Sequence, residues 1–121
     1  MTIIKKNNQN ILIIDKHQKI MSAQDLMDHM TDAMYHNKCT AVVVHQVSLS
    51  PEFFNLKSGI AGEMLQKCST YGIKIAIIGE FEKFGSKSLK AFIAESNHGT
   101  GVFFKNDMQQ GVHALSNPGH P

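Results

Sequence analysis

Phe53-Phe54-Asn55-Leu56-Lys57-Ser58-Gly59-Ile60-Ala61-Gly62-Glu63-Met64-Leu65-Gln66-Lys67, followed by Ile73-Lys74-Ile75-Ala76-Ile77-Ile78-Gly79, decides the fold. An aromatic-anchored loop feeds a helix start, and the helix feeds a buried strand. Ile60, Ala61, Met64, Leu65 and Cys68 recur at helical spacing and make one apolar stripe. The spacing predicts a helix from about Ser58 to Tyr71, stopped by Gly72. The run Ile73–Ile78 suits a strand buried on both faces.

The same grammar extends to both sides. Upstream, Thr2–Lys5 is a short strand candidate, Asn7-Asn8-Gln9-Asn10 a polar turn, and Ile11–Ile14 a continuous apolar strand. The short link predicts a hairpin at the sheet edge. Ser22 reads as an N-cap with Asp25 as its capping-box partner. Leu26, Met27, Met30, Ala33 and Met34 follow on one helical face, and Asn37-Lys38 ends that helix. Ala41–Val44 is the next buried strand. Downstream, Ser86 caps a helix carrying Leu89, Phe92 and Ile93, which Gly99 ends. Val102-Phe103-Phe104 is a last strand, and Asp107 caps a helix with Met108, Val112 and Leu115.

The order β-β-α-β-α-β-α-β-α defines an α/β fold. Its sheet is mostly parallel, with one antiparallel N-terminal hairpin strand, and helices cover it. Residues 1–116 are expected to form a single domain, and residues 117–121 a flexible tail.

Composition excludes several classes of function. Net charge is only +2, and all 12 basic residues are Lys. Without arginine there is no guanidinium fork for phosphate or guanine, and the lysines are scattered, so no nucleic-acid partner is expected. No apolar run reaches the roughly 18 residues of a membrane span, and the N-terminus lacks a signal-peptide core. Cys39 and Cys68 make no disulfide framework, which points to a reducing cytoplasm.

In parallel sheets, ligands and partners gather where loops leave the strand C-termini, and the loop from Val47 to Lys57 lies there. Ser58 and Gly59 sit where free amides could meet an anion, a phosphoryl group or a partner, with Lys57 beside them. The plain alternative for Ser58 is a helix N-cap. Gly59 and Gly62 share a helix face and suggest close packing on the sheet. Glu63, Gln66 and Lys67 form a polar stripe, either solvated or contacting a partner, with Glu63 able to pair with Lys67. Glu95 and Asn97 could form a small polar pocket with the loop after Gly79, where Glu80 stands.

No motif commits the chain to catalysis. Glu80, Glu82 and Glu95 lack an obvious acid–base partner. Neither cysteine has the orienting groups of a nucleophile, and His36 with Cys39 falls short of the four ligands of structural zinc. The glycine spacing is not a dinucleotide or Walker fingerprint. No cofactor and no metal are expected.

Ser22-Ala23-Gln24-Asp25-Leu26, Phe53-Phe54-Asn55-Leu56, Gly59-Ile60-Ala61-Gly62-Glu63, Leu65-Gln66-Lys67, Ala76-Ile77-Ile78-Gly79 and Phe92-Ile93-Ala94-Glu95-Ser96-Asn97 together resemble a bacterial family, domain of unknown function 4180. That resemblance brings no activity with it. A more distant one is to the STAS domain of anti-sigma factor antagonists, through element order and the Ser58-Gly59 helix opening. It implies phosphorylation of a serine there by a partner kinase. The chain departs from the antagonists in having Leu56 two positions before Ser58. The combined expectation is a cytoplasmic STAS-like regulatory or protein-interaction module, not an enzyme, with a protein partner or self-association. The alternative is a domain binding a nucleotide or acidic metabolite at Ser58, and a third reading is an enzyme of undefined activity.

Overall fold

The computed structural model describes residues 2–117. Strands β1 (Thr2–Lys6) and β2 (Gln9–Ile13) form a hairpin. Its turn is tighter than the polar run suggests. Only Asn7 and Asn8 turn, both at positive φ (52° and 67°), and Gln9 and Asn10 already belong to β2. Two left-handed residues in succession match the twist of a two-residue hairpin, and asparagine tolerates them. The tail residues 118–121 lie outside the described residues, and Asn117 is an exposed bend.

The remaining elements alternate: α1 (Ala23–Asn37), β3 (Ala41–His45), α2 (Ile60–Thr70), β4 (Lys74–Ile78), α3 (Lys87–His98), β5 (Val102–Lys105) and α4 (Met108–Ser116). The sheet order is β1-β2-β3-β4-β5, antiparallel only between β1 and β2. The parallel strands therefore advance in one direction without reversing. A doubly wound sheet binds cofactors in the crevice made by such a reversal. This sheet has none.

Strand alternation divides the interior into two cores. Leu12, Val42, Val44, Ile75, Ile77 and Phe104 face the crossover helices, with Leu26 and Met30 from α1, and Met64 and Cys68 from α2. Phe92 and Ile93 of α3 close that layer. Ile11, Ala41, Val43, Ala76, Ile78 and Phe103 face the other way, where Val112 and Leu115 of α4 cover them. Gly111 lets α4 approach, since a Cβ there would stand 2.5 Å from Ile78 Cδ1.

The helix starts follow the capping residues. The Asp25 amide donates to Ser22 Oγ at 3.1 Å, Leu89 to Ser86 Oγ at 3.2 Å, and Gln110 to Asp107 Oδ1 at 2.8 Å. The capping box is shifted by one residue: the Asp25 carboxylate takes the Met21 amide at 2.8 Å. Helix α1 ends at Lys38, in the left-handed conformation with φ 53°.

Candidate functional site

The segment between β3 and α2 is the longest connection in the fold, and it folds into short turns. Three 3-10 turns follow one another: Gln46–Ser48, Pro51–Phe54 and Leu56–Ser58. Pro51 presets the backbone of the second turn, and Ser50 Oγ takes the Glu52 amide at 3.2 Å. Phe53 is fully buried and anchors the segment to the core. Phe54 meets it edge-on at 4.9 Å between ring centroids.

Phe54 in turn stacks on Phe84 from the β4–α3 loop, at 4.9 Å and 18°. Offset aromatic pairs of this kind contribute about 0.5–1.5 kcal/mol beyond their area burial. Phe81 continues the row, tilted against Phe54 at 6.3 Å and edge-on to Phe104 at 5.2 Å. The two loops are also joined by Gln46, whose Oε1 accepts the Glu80 amide at 3.0 Å. Its side chain lies where a Cβ on Gly79 would stand, so glycine is required there for close approach.

These contacts leave a groove of about 630 Å³ between Lys19, Met21, Val47, Leu49, Phe54 and Phe84. Val47 is 63 % exposed and Met21 40 % exposed. Apolar side chains thus stand open to solvent beside a stacked aromatic floor. Lys19 is the one charged lining residue and has no ion pair among the described residues.

Ser58 lies in the same crossover. It closes the third turn, and α2 begins two residues later than the sequence spacing suggests. Gly59 causes the offset: at φ 81° it leaves the helical region and becomes the cap. The Ser58 hydroxyl donates to the Glu52 carbonyl at 2.6 Å and accepts the Ile60 amide at 3.2 Å. Its proton and one helix-start amide are thus already used. Lys57 is exposed beside it.

The close-packing reading of Gly59 and Gly62 is corrected. Gly62 is exposed, and a Cβ at either position meets nothing within 4 Å. Gly59 is needed for its left-handed backbone, and Gly62 has no packing reason. Glu63, Gln66 and Lys67 form an exposed stripe, as their spacing suggests. Among the described residues no ion pair joins Glu63 to Lys67, and Gln66 reaches Thr70 Oγ1 at 3.4 Å.

Glu80, Glu95 and Asn97 are not brought together. Glu80 pairs with Lys83 at 2.8 Å on the open surface, which pulls its carboxyl below the usual range. Glu95 borders a groove between α2 and α3 with Leu65, Cys68 and Val102. Asn97 turns to β5 instead: it donates to the Phe104 carbonyl at 3.1 Å and accepts the Phe104 amide at 2.8 Å.

Burial pushes the Cys68 thiol up to about 11 and raises that of Cys39, so neither carries thiolate character. Among the described residues no cluster of three or more His, Cys, Asp or Glu side chains could hold a metal ion. No helix among them is long and apolar enough to cross a membrane.

Sequence reading located the aromatic anchor and the loop that begins at Val47, but missed Met21, Phe84 and the exposure of Val47. Their signal was apolar character inside turn-rich loops. It is weak, because single exposed apolar residues are common on protein surfaces.

No curated protein and no solved structure matches the chain significantly. The model of the family described as domain of unknown function (DUF4180) matches residues 6–115. With that match spanning nearly the whole chain, the protein belongs to this family.

Proposed function

We propose that the chain is a protein-interaction module that captures a short apolar segment of a partner protein in the groove between Phe54, Phe84, Met21 and Val47. The observation that carries this reading is the combination of a stacked aromatic floor, apolar walls open to solvent and one cation, Lys19, with no ion pair among the described residues. A segment offering two or three apolar side chains and a neighbouring carboxylate complements it. The apolar contacts supply affinity, and a carboxylate against Lys19 sets register and orientation. The regulatory role implied by the STAS resemblance runs through the same crossover, since Ser58 ties its turns to α2. Anion binding at the start of α2 has less support, because Ser58 Oγ already occupies the Ile60 amide.

The test is site-specific photo-crosslinking in the source cell. A crosslinking residue at Val47 is expected to trap one protein that the same residue at Gln109 on α4 does not. The trapped segment, made as a peptide, should bind the wild type and lose about tenfold or more in affinity to Lys19→Glu and to Phe84→Ala. Equal trapping at both positions, or peptide binding indifferent to both substitutions in folded protein, rejects the groove as the docking surface.

A further inference from the structure

The two edges of the sheet are finished differently. On β5, the Ile75 amide bonds to Gly101 and the Gly79 amide to Lys105, so Phe104 presents its backbone outward. Asn97 occupies both of those outward groups. A side-chain amide thus stands in for the neighbouring strand, and that edge is sealed at its centre.

Among the described residues the β1 edge has no such seal. The Thr40 amide bonds to Asn10 and the Ile14 amide to Val43, so Asn10 and Ile14 direct their backbone towards β3. By alternation Gln9, Ile11 and Ile13 face β1, where they meet Lys6, Ile4 and Thr2. Ile3 and Lys5 therefore point their amides and carbonyls away from the sheet. Ile3 and Ile4 are only half-buried, one at the margin of each core.

We infer that this edge pairs with the β1 edge of a second copy, antiparallel about a two-fold axis at Ile4. Outward groups must meet outward groups, which axes at Ile3, Ile4 or Lys5 allow. An axis at Lys5 sets that lysine against its own copy. An axis at Ile3 runs past Thr2 before Lys5 finds a partner. The Ile4 axis pairs the whole strand: Thr2 opposite Lys6 of the second copy, Ile3 opposite Lys5, and Ile4 opposite Ile4. No lysine then stands opposite a lysine. About four interchain hydrogen bonds form, between the Ile3 and Lys5 backbones. The isoleucines meet in a non-hydrogen-bonded pair, where side chains approach most closely. With β5 sealed, growth stops at two copies, giving a closed isologous dimer instead of a filament.

A five-residue edge buries less than the roughly 1,200 Å² of a stable complex, so the dimer is reversible. The two Lys5 side chains lie diagonally at about 7–8 Å, within a Debye length at low salt. Salt therefore strengthens association.

Sedimentation of the full chain over a concentration series tests this. A monomer–dimer equilibrium is expected, with its midpoint falling as salt rises. Lys5→Pro removes an outward amide without touching the β1–β2 ladder, and Ile4→Lys sets lysine against lysine. Each is expected to raise the midpoint about tenfold or more while the circular dichroism is unchanged. Asn97→Ala, which opens the other edge, is expected to yield species larger than a dimer. Amide exchange gives a readout that needs no variant: Ile3 and Lys5 should gain protection as concentration rises. A monomer up to about 1 mM at high salt, or a dimer indifferent to Lys5→Pro and Ile4→Lys, overturns the inference. The groove variant Phe84→Ala leaves this equilibrium unchanged, so this result and the docking result stand or fall separately.

Discussion

The two ends of the parallel sheet are built on different principles. At the N-terminal ends of the strands the connections are short and conformationally defined. Residues 38–40 and 71–73 turn through left-handed Lys38 and Gly72. Each is closed by a backbone bond to the preceding helix, from Lys38 to the Ala33 carbonyl and from Ile73 to the Cys68 carbonyl. These are helix stops with six-to-one bonding. At the C-terminal ends, residues 46–59 and 79–86 are longer and carry Phe53, Phe54, Phe81 and Phe84. There side-chain packing replaces backbone rules. One end fixes the chain path, and the other spends apolar residues on a surface that reaches solvent.

The largest test of that contrast is Phe53→Ala. Phe53 is the fully buried anchor of the C-terminal end. Its loss should cost about 3–5 kcal/mol in chemical denaturation and release Phe54 from its edge contact. A loss below about 1 kcal/mol would mean that the turns hold the crossover without the aromatic. Gly79→Ala comes next. A Cβ there collides with the Gln46 side chain, including its own Cβ at 2.5 Å, which rotation about χ1 cannot remove. About 1–3 kcal/mol should be lost through strain and through the broken bond to the Glu80 amide. Gly79→Ala combined with Gln46→Ala should recover only the part due to the outer amide atoms, because the Cβ of residue 46 still stands 2.5 Å away.

At the opposite end the sign reverses. Lys38 adopts φ 53°, and its exposed side chain makes no hydrogen bond or ion pair among the described residues. Lys38→Gly is expected to stabilise by about 0.5–1 kcal/mol, read as a raised melting temperature. A loss would show that Lys38 makes a contact that outweighs its backbone strain.

The same contrast explains what could be read from the sequence. The β-branched runs at Ala41–Val44 and Ile73–Ile78, the capping residues Ser22, Ser86 and Asp107, and the stop at Gly72 all act within a few residues. Their outcome was legible. Strand order and the lone α4 on the second face depend on which surfaces meet, and periodicity does not encode that. The groove was the least legible part. Phe54 and Phe84 stand far apart in the chain, and only folding stacks them. Asn97 shows the same limit: its position suggested a polar pocket, and its tertiary neighbour made it a seal for β5.

The smallest effect concerns His45, which ends β3 where the strand opens into the crossover. Partial burial lowers its imidazole below the ordinary value near 6.5, and Lys16 adds to the shift while Asp15 opposes it. The unfolded chain therefore binds the proton more readily than the folded one. Stability from this group is present above the unfolded value and declines as pH falls through about 6.5. The slope between pH 7.5 and 5.5 should be shallow, since the ring is half exposed and water screens it. His45→Gln should flatten it further by removing the titration at the sheet's C-terminal end. His36, paired with Asp32 at 3.8 Å on the exposed surface of α1, supplies the matched comparison. If His36→Gln flattened the profile and His45→Gln did not, the acid response would belong to the helix surface, and the crossover end would be indifferent to pH.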